Sequence, residues 1–175
     1  MNMLDVVLHR RSVRQYTDSP IPSEKLDAIL YAGLAAASSK NRRPWEFIVV
    51  QNRSTLDQLC SCRPGAGHLL GSCQAAIIVA ADSELVDVWV EDCASAITQM
   101  HLMADALGVG SCWLQVRLRK APDGTTDTQD VVRAVLGIPE KYSVMAILTL
   151  GMPASHPGSK NIAELPLEKI HREHF

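Results

Sequence analysis

Apolar residues recur at helical spacing in some parts of the chain and form short continuous runs in others. The first pattern is typical of helices, and the second, rich in β-branched residues, is typical of strands. The predicted helices cover residues 4–8, 23–37, 54–62, 86–107 and 128–136, and the predicted strands cover residues 45–50, 75–81, 111–116 and 143–150. Because helices and strands alternate only partly, we expect an α+β fold with a mixed central β-sheet flanked by helices.

Two of these elements have more detailed signals. Ser23 is a candidate N-cap, with Glu24 in the first turn of the helix that follows. The run at residues 75–81 is apolar throughout, as is most of residues 143–150, which indicates interior strands covered on both faces. Polar loops are expected between them, at the Gly-rich segment after residue 62 and at residues 117–127.

The helix predicted at residues 86–107 has apolar side chains around almost its whole circumference. Such a helix has to be buried on all sides, which is difficult in a chain of this size. We therefore expect it to line a homodimer interface. The last segment, residues 151–175, has several prolines but too many apolar residues for a disordered tail, so we expect it to extend over a partner subunit.

Composition narrows the class of protein. The 175 residues, 47% of them hydrophobic, predict one domain spanning residues 1–175. Seventeen basic and nineteen acidic side chains give a net charge of −2, which argues against a nucleic-acid partner. The sequence has neither a membrane-spanning run nor a signal-peptide pattern, and an odd number of cysteines indicates reduced thiols. We expect a cytoplasmic protein with no membrane partner.

A short basic cluster follows the first predicted helix. Arg10, Arg11 and Arg14 place three guanidinium groups within five residues, and Ser12 adds a hydroxyl. Planar guanidinium groups bind phosphate with several charge-assisted hydrogen bonds, although solvated surfaces and nucleic-acid patches also contain such clusters. The sequence has neither G-x-G-x-x-G after a first strand nor G-x-x-x-x-G-K-[ST], so a Rossmann domain and a P-loop enzyme are both disfavoured.

A second polar segment lies between the second helix and the first strand. It contains Ser38, Ser39, Asn41 and Arg43, which are common turn residues. An amide both donates and accepts hydrogen bonds, so Asn41, together with Arg43, could bind the edge of a flat polar heterocycle. The sequence leaves both interpretations open.

Five segments, in order, resemble motifs of the FMN-dependent nitroreductase family. The opening motif R-R-S-x-R-x-[FY] is similar to residues 10–16, and the central dimer helix with its following strand is similar to residues 89–95 and 107–113. The other matches are residues 38–47, 136–140 and 148–153. The resemblance covers nearly the whole chain and implies an α+β nitroreductase-like fold, an intertwined homodimer and FMN bound at the dimer interface.

The resemblance also implies roles for the basic cluster. Arg10 and Ser12 would bind the FMN phosphate, with Arg11 beside them on the phosphate or ribityl chain. Arg14 would lie near the pyrimidine edge of the flavin, where a fixed cation stabilises the charge of the reduced cofactor.

Other residues would contact the flavin ring. Asn41, with Ser38 and Ser39, would reach it from the other subunit. Backbone groups would flank its opposite side at Ser111, Cys112, Trp113 and Leu114, and Cys112 is interpreted as a packing residue.

The sequence departs from the family pattern in three places. Ala37 stands where proline is common, and Arg43 stands where glutamine is common. Glu164 occupies a region near the last Leu-Pro where a basic residue commonly approaches the phosphate. Lys160 is the nearest cation that could replace it.

The implied activity is hydride transfer from NADH or NADPH, followed by reduction of a small electron-poor acceptor such as a nitroaromatic or a quinone. The alternative is a protein that binds or sequesters flavin without efficient NAD(P)H turnover. Cys60, Cys62, His68 and Cys73 lack the spacing of a zinc site, so no metal is expected.

Overall fold

The computed structural model describes residues 2–175 and has an α+β fold, as predicted. Its helices are α1 (Met3–His9), α2 (Ser23–Leu34), α3 (Arg53–Leu59), α4 (Ala66–Leu70), α5 (Trp89–Ala106) and α6 (Thr128–Leu136). Its strands are β1 (Trp45–Val50), β2 (Ala75–Asp82), β3 (Gly110–Gln115) and β4 (Tyr142–Gly151). Single 3-10 turns lie at Ser39–Asn41, Ile162–Glu164 and Leu167–Lys169.

The four strands form one sheet in the order β1-β2-β4-β3, and all three neighbouring pairs are antiparallel. The expectation of a mixed sheet is therefore wrong for these four strands. An apolar run in the sequence indicates a strand but not its direction. A parallel pairing does occur outside the strands, in the isolated bridge between Ser12 and Ser111. The central strands β2 and β4 are almost completely buried, as their continuous apolar runs predict.

Helices cover both faces of the sheet. On one face, α2 and α5 pack against the sheet through side chains such as Ile29, Ile97 and Met100. On the other face, α3, α4 and α6 contribute Leu59, Leu70 and Val132 to a second apolar cluster. Alternate residues of β2 and β4 point into the two clusters, so neither face of the central strands contacts water.

Most predicted boundaries differ from the observed ones by one to three residues, and the differences at α2 and α4 have a physical reason. Ser23 is the first residue of α2, after Pro22, and makes no capping hydrogen bond within the described chain. Proline at the preceding position has a restricted φ that already directs the chain into a helix. The helix ends at Leu34 instead of residue 37, and the predicted Gly-rich loop contains α4, which begins after Gly65 at a positive φ of 80°.

Helix α5 is not buried on all sides within one chain, and the homodimer interface expected for its uncovered side stays a prediction. One side packs on the sheet, while Leu102, Met103 and Ala106 border an open apolar groove of about 370 Å³ that also contacts Met3 of α1. The α1 side chains Met3, Leu4 and Val7 are 70, 54 and 45% exposed. The structure therefore leaves an apolar surface along α1 and α5.

Among residues 2–175, no helix is both long enough and apolar enough to span a bilayer.

Candidate functional site

The segment that carries the arginine cluster is fixed along the β3 edge of the sheet. Val13 N–H donates to Ser111 O at 2.9 Å, and Thr17 N–H donates to Met152 O at 2.8 Å. Ala154 N–H donates to Gln15 O at 3.0 Å. Residues 12–17 therefore lie beside the start of β3 and the end of β4, with a backbone that the sheet holds in place.

Two glycines allow this segment to approach the sheet. Gly110 and Gly151 are direct partners across β3 and β4. A Cβ atom on Gly110 would lie 2.8 Å from Val13 Cγ1, and one on Gly151 would lie 2.6 Å from Tyr16 Cγ. Both distances are far below van der Waals contact, so the position of residues 12–17 requires glycine at both positions.

Tyr16 anchors the end of the segment. Its hydroxyl donates to Val13 O at 2.9 Å and lies 2.9 Å from Thr149 Oγ1. The Thr149 hydroxyl donates in turn to Cys112 O at 3.2 Å. Burial raises the pKa of Tyr16 above its usual value, so the phenol stays protonated. This buried network links the first motif to β3 and β4.

Arg10 and Arg14 lack acidic partners. Within residues 2–175, no carboxylate lies within ion-pair distance of either guanidinium group. Arg14 Nη1 donates to Ser12 O at 3.3 Å, and its side chain is exposed. Two cations held at fixed backbone positions without counter-charges form an arrangement suited to an external anion.

A cavity of about 350 Å³ opens beside Arg14. His68 and Ser72, from α4 and the turn after it, contribute to its wall together with Gln15. His68 lies in the Gly-rich segment that the sequence predicts as a loop after residue 62, and Ser72 is not singled out by any sequence signal. The cavity gives a small molecule access to the Arg14 end of the segment.

Arg11 has a different environment from the one the resemblance implies. Its guanidinium Nη1 donates to Gly158 O at 2.9 Å and to Pro157 O at 3.4 Å. It therefore ties the C-terminal segment to the first motif, which leaves fewer of its donors for a phosphate. Lys160 lies nearby along the chain, since its backbone N–H donates to Leu8 O at 2.8 Å, and its side chain is exposed.

His101 of α5 lies behind the first motif, and sequence reasoning did not single it out as a site residue. Its Nδ1 lies 2.7 Å from Ser111 Oγ, and His101 and Ser111 are only 6 and 2% exposed. Burial, and next the positive charge of Arg10, lowers the pKa of His101 from 6.5 to about 4. The imidazole is therefore neutral at pH 7.

The cysteines are free thiols. Cys112 is buried at β3, where burial raises its pKa, and this protonated state agrees with a packing role. Burial also raises the pKa of Cys62 to about 11 and that of Cys73 to about 12. Among the described residues, the cysteines do not belong to a group with metal-ligand geometry.

A different group of potential ligands lies at the C-terminal end of α5. His9 Nδ1 is 2.7 Å from one Asp105 carboxylate oxygen, and His156 Nε2 is 3.5 Å from the other. The two imidazole rings are stacked, with centroids 4.1 Å apart and planes 10° from parallel. Because ring lone pairs lie in the ring planes, parallel stacked rings do not direct both nitrogens at one ion. The His9–Asp105 hydrogen bond joins α1 to α5, and the stacking of His156 on His9 joins the C-terminal segment to both.

The second motif forms a tight turn held by α5. Ser39 N–H donates to Asp92 Oδ1 at 2.8 Å, and Arg43 N–H donates to Ser38 Oγ at 3.0 Å. Arg43 Nε donates to Asn41 Oδ1 at 2.9 Å, so the two residues contact each other. Lys40, Asn41 and Arg43 have φ values of 49, 55 and 48°, which are left-handed conformations.

One chain does not bring the two motifs together. The second motif precedes β1, at one edge of the sheet, and the first motif lies on β3, at the other edge. Three strand spacings separate these edges by about 14 Å. Asp92 accepts a hydrogen bond from Ser39 of the second motif, and His101 contacts Ser111 of β3, which pairs with the first motif. Asp92 and His101 are nine residues apart on α5, about 14 Å along its axis.

The fold and the site define an α+β protein with a cluster of arginines at a sheet edge, and comparisons with known proteins identify its family. The profile of the Nitroreductase family matches residues 7–61 and 62–152. The chain therefore belongs to the Nitroreductase family. A relative from Archaeoglobus fulgidus, provisionally named NADH dehydrogenase/NAD(P)H nitroreductase, is 35% identical over 97% of each chain.

Solved structures agree with this assignment. An FMN-dependent nitroreductase from Clostridium difficile R20291 superposes with a TM-score of 0.94 at 40% identity, covering 98% of this chain and 99% of that one. A provisionally named nitroreductase from Desulfovibrio desulfuricans, solved in complex with FMN, has a TM-score of 0.76 at 27% identity, covering 97% and 98%.

Proposed function

We propose that this chain is an FMN-dependent NAD(P)H oxidoreductase that reduces a small electron-poor acceptor such as a nitroaromatic or a quinone. The observation that carries the proposal is a pair of guanidinium groups, Arg10 and Arg14, that have no carboxylate partner among residues 2–175 and lie on a backbone segment fixed to the sheet edge. Family membership and the FMN-bound relative support the same assignment.

The residues of the site fit FMN. Arg10 and Ser12 supply charged and hydroxyl donors for a phosphate, and Lys160 is a further exposed cation on a segment whose backbone bonds to Leu8. Arg11, occupied by two carbonyls, contributes mainly by holding that segment in place. The donor set is cationic where the cofactor is anionic, and the adjoining cavity leaves space at the Arg14 end.

Bound FMN would supply two-electron chemistry, accepting hydride from NADH or NADPH and passing electrons to the acceptor. The protein's contribution is binding, orientation and electrostatics. Arg14 would stabilise negative charge at the pyrimidine edge, and backbone groups of residues 111–114 would flank the ring. Cys112 would pack without reacting, since burial keeps its thiol protonated.

The site would be shared between two subunits. Asn41, Ser38, Ser39 and Arg43 lie too far from the first motif of their own chain to complete its site. An antiparallel pairing of two α5 helices around a two-fold axis would bring the second motif of one chain towards the first motif of the other. The exposed apolar surface of α1 and α5 supports a homodimer of this kind.

The proposal also covers the chain as a whole. Residues 1–175 would form one FMN-binding domain, with the exposed C-terminal residues Ile162, Leu167, Ile170 and Phe175 lying over the partner subunit. Free thiols at all five cysteines support a reducing compartment, the cytoplasm. A small-molecule acceptor is the expected partner, with no role for nucleic acid or membrane.

The visible spectrum of the purified, FMN-reconstituted protein tests the proposal. We expect flavin absorption bands that bleach when NADH or NADPH is added without oxygen and return when a quinone is added. Bands that persist with both nicotinamides would support the alternative, a protein that sequesters flavin. Failure to retain FMN after reconstitution would contradict both functions.

A further inference from the structure

The hydrogen bond between the buried side chains of His101 and Ser111 has no role in the site as described so far. His101 lies on α5 among apolar residues such as Ile97, Met100 and Ala104, which are fully buried. Apolar side chains at both positions would leave no side-chain polar atom to satisfy. Burying an imidazole and a hydroxyl has a free-energy cost that their mutual hydrogen bond offsets only in part.

Ser111 connects His101 to the first motif. The backbone oxygen of Ser111 accepts the hydrogen bond from Val13 N–H at 2.9 Å, and Ser111 pairs with Ser12 in the parallel bridge. Its side-chain oxygen lies 2.7 Å from His101 Nδ1. One residue thus joins the α5 imidazole to the backbone that carries Arg10 and Ser12.

His101 is also close to the proposed phosphate-binding charge. The positive charge of Arg10 acts on the imidazole, and the imidazole is neutral at pH 7. A neutral partner can pack beneath Arg10 without repelling it, whereas a lysine or a second arginine could not. His101 therefore has the position and the charge state of a support for the first motif.

We propose that His101 is a positioning residue for the phosphate end of the cofactor site, acting through Ser111 to hold Ser12 and Arg10 against the start of β3. The proposal rests on the proposed function, because it assumes that Arg10 and Ser12 bind the FMN phosphate. It predicts that His101 affects the binding of FMN and not of riboflavin, which lacks the phosphate.

The test compares the dissociation constants of FMN and riboflavin for the full-length apoprotein, measured by quenching of flavin fluorescence. We expect His101→Leu to weaken FMN binding about tenfold, the usual effect of one lost hydrogen bond, and to change riboflavin binding less than twofold. His101→Asn should restore FMN binding, because its amide nitrogen can take the place of Nδ1. Met100→Leu, a volume-conserving change at the neighbouring buried position, is the matched control and should change neither constant.

A second variant removes the same contact from the other side. Ser111→Ala should reproduce the selective loss of FMN affinity, and adding His101→Leu to it should cause little further loss. This variant keeps the proposal testable if His101→Leu does not fold. An equal loss of both flavins in either variant, or no loss of FMN affinity, would overturn the role of His101.

The affinities of the wild-type protein distinguish a failure of the proposed function from a failure of the inference about His101. If the wild-type protein bound FMN and riboflavin with equal affinity, the phosphate assignment of Arg10 and Ser12 would be wrong, and the role of His101 would be wrong with it. If the wild-type protein preferred FMN and His101→Leu kept that preference, only the inference about His101 would be wrong.

Discussion

At the scale of single residues, the three arginines of the first motif have three different environments. Arg11 donates to the carbonyls of residues 157 and 158, Arg14 lies at a cavity, and Arg10 affects the buried imidazole of His101. The sequence grouped them as one basic cluster. The carbonyls that bind Arg11 and the imidazole that Arg10 affects lie about 90 or more residues away along the chain, which local spacing cannot indicate.

These environments predict separable effects for two substitutions. Arg10→Ala removes a charged hydrogen-bond partner and should weaken FMN retention by about 1.5–3 kcal/mol. Arg14→Ala should mainly lower the flavin reduction potential, because it removes a cation that favours the reduced form. Equilibrium binding and anaerobic potentiometry measure the two effects.

Riboflavin is the control ligand for this pair. Its affinity should change little in Arg10→Ala, since riboflavin has no phosphate. An unchanged potential in Arg14→Ala would show that the assignment of Arg14 to the flavin ring is wrong.

His101 should make the stability of the protein depend on pH. Its pKa is about 4 in the folded protein and 6.5 as its ordinary value, so between these values the unfolded state binds more protons. Folding stability should therefore fall as the pH decreases through this window, by about 2 kcal/mol from pH 7 to pH 5. Urea unfolding at both pH values should show a smaller loss for His101→Asn, and equal losses would contradict the burial of a neutral imidazole.

At the scale of elements, the sequence predicted strands better than helix ends. The prediction for β1 matches its observed bounds, Trp45–Val50, and β2 extends one residue beyond the predicted end at residue 81. A short continuous apolar run is a strong signal of a strand, because a strand that is buried on both faces needs apolar residues at almost every position. The sequence predicted Ser23 as an N-cap and a loop where α4 lies, and both predictions were wrong. A proline before a helix and a Gly-rich segment are each compatible with several local structures.

The sequence identified residues of the proposed site but not the tertiary contacts that position them. Residues 10–16 and 38–45 were identified from their chemistry and from the family resemblance, but the glycine pair that seats the first motif was not. Gly110 and Gly151 are far apart in sequence and act only because β3 and β4 pair in register. The close approach of Tyr16 to Gly151 is a tertiary contact with no local signature.

The glycine pair predicts a steric effect. Gly151→Ala places a Cβ 2.6 Å from the ring of buried Tyr16, so the ring and its segment must shift. We expect a loss of about 1–3 kcal/mol in unfolding free energy, together with weaker FMN binding. Gly67→Ala, where the nearest contact is 3.7 Å, is the matched control and should not lower the unfolding free energy, because alanine is a better helix former than glycine. Similar stability in both variants would contradict the close packing.

Asp92 should control the order of the second motif. One of its oxygens accepts from Ser39 N–H at 2.8 Å, and the other is buried without a partner in the described chain. Asp92→Ala should free the turn and lower stability by about 1.5–3 kcal/mol. Tryptic cleavage after Lys40 and Arg42 should then become faster than in wild type.

The conservative variant provides the control for that prediction. Asp92→Asn keeps an oxygen that can accept from Ser39, so its cleavage rate should stay close to that of wild type. Equal rates for wild type and Asp92→Ala would mean that α5 does not hold the turn.

At the scale of the whole molecule, the fold separates the two halves of the proposed site. The first motif lies on one edge of the sheet, the second motif lies beyond the other, and α5 runs between them with an apolar side uncovered. A single chain therefore presents two half-sites and a surface through which a second chain could bring them together. The central claim is that an FMN site is formed by Arg10 of one chain and Asn41 of another.

Subunit mixing tests this claim most directly. Arg10→Ala and Asn41→Ala are purified separately, mixed under conditions that exchange subunits, reconstituted with FMN and assayed for NAD(P)H-dependent bleaching of the flavin. Each variant alone should have only impaired sites. In a mixed dimer, one site receives both substitutions and the other receives neither, so random mixing should restore about a quarter of the sites. Recovery of that fraction is the predicted result, and a mixture no more active than the average of the two separate variants would contradict a shared site.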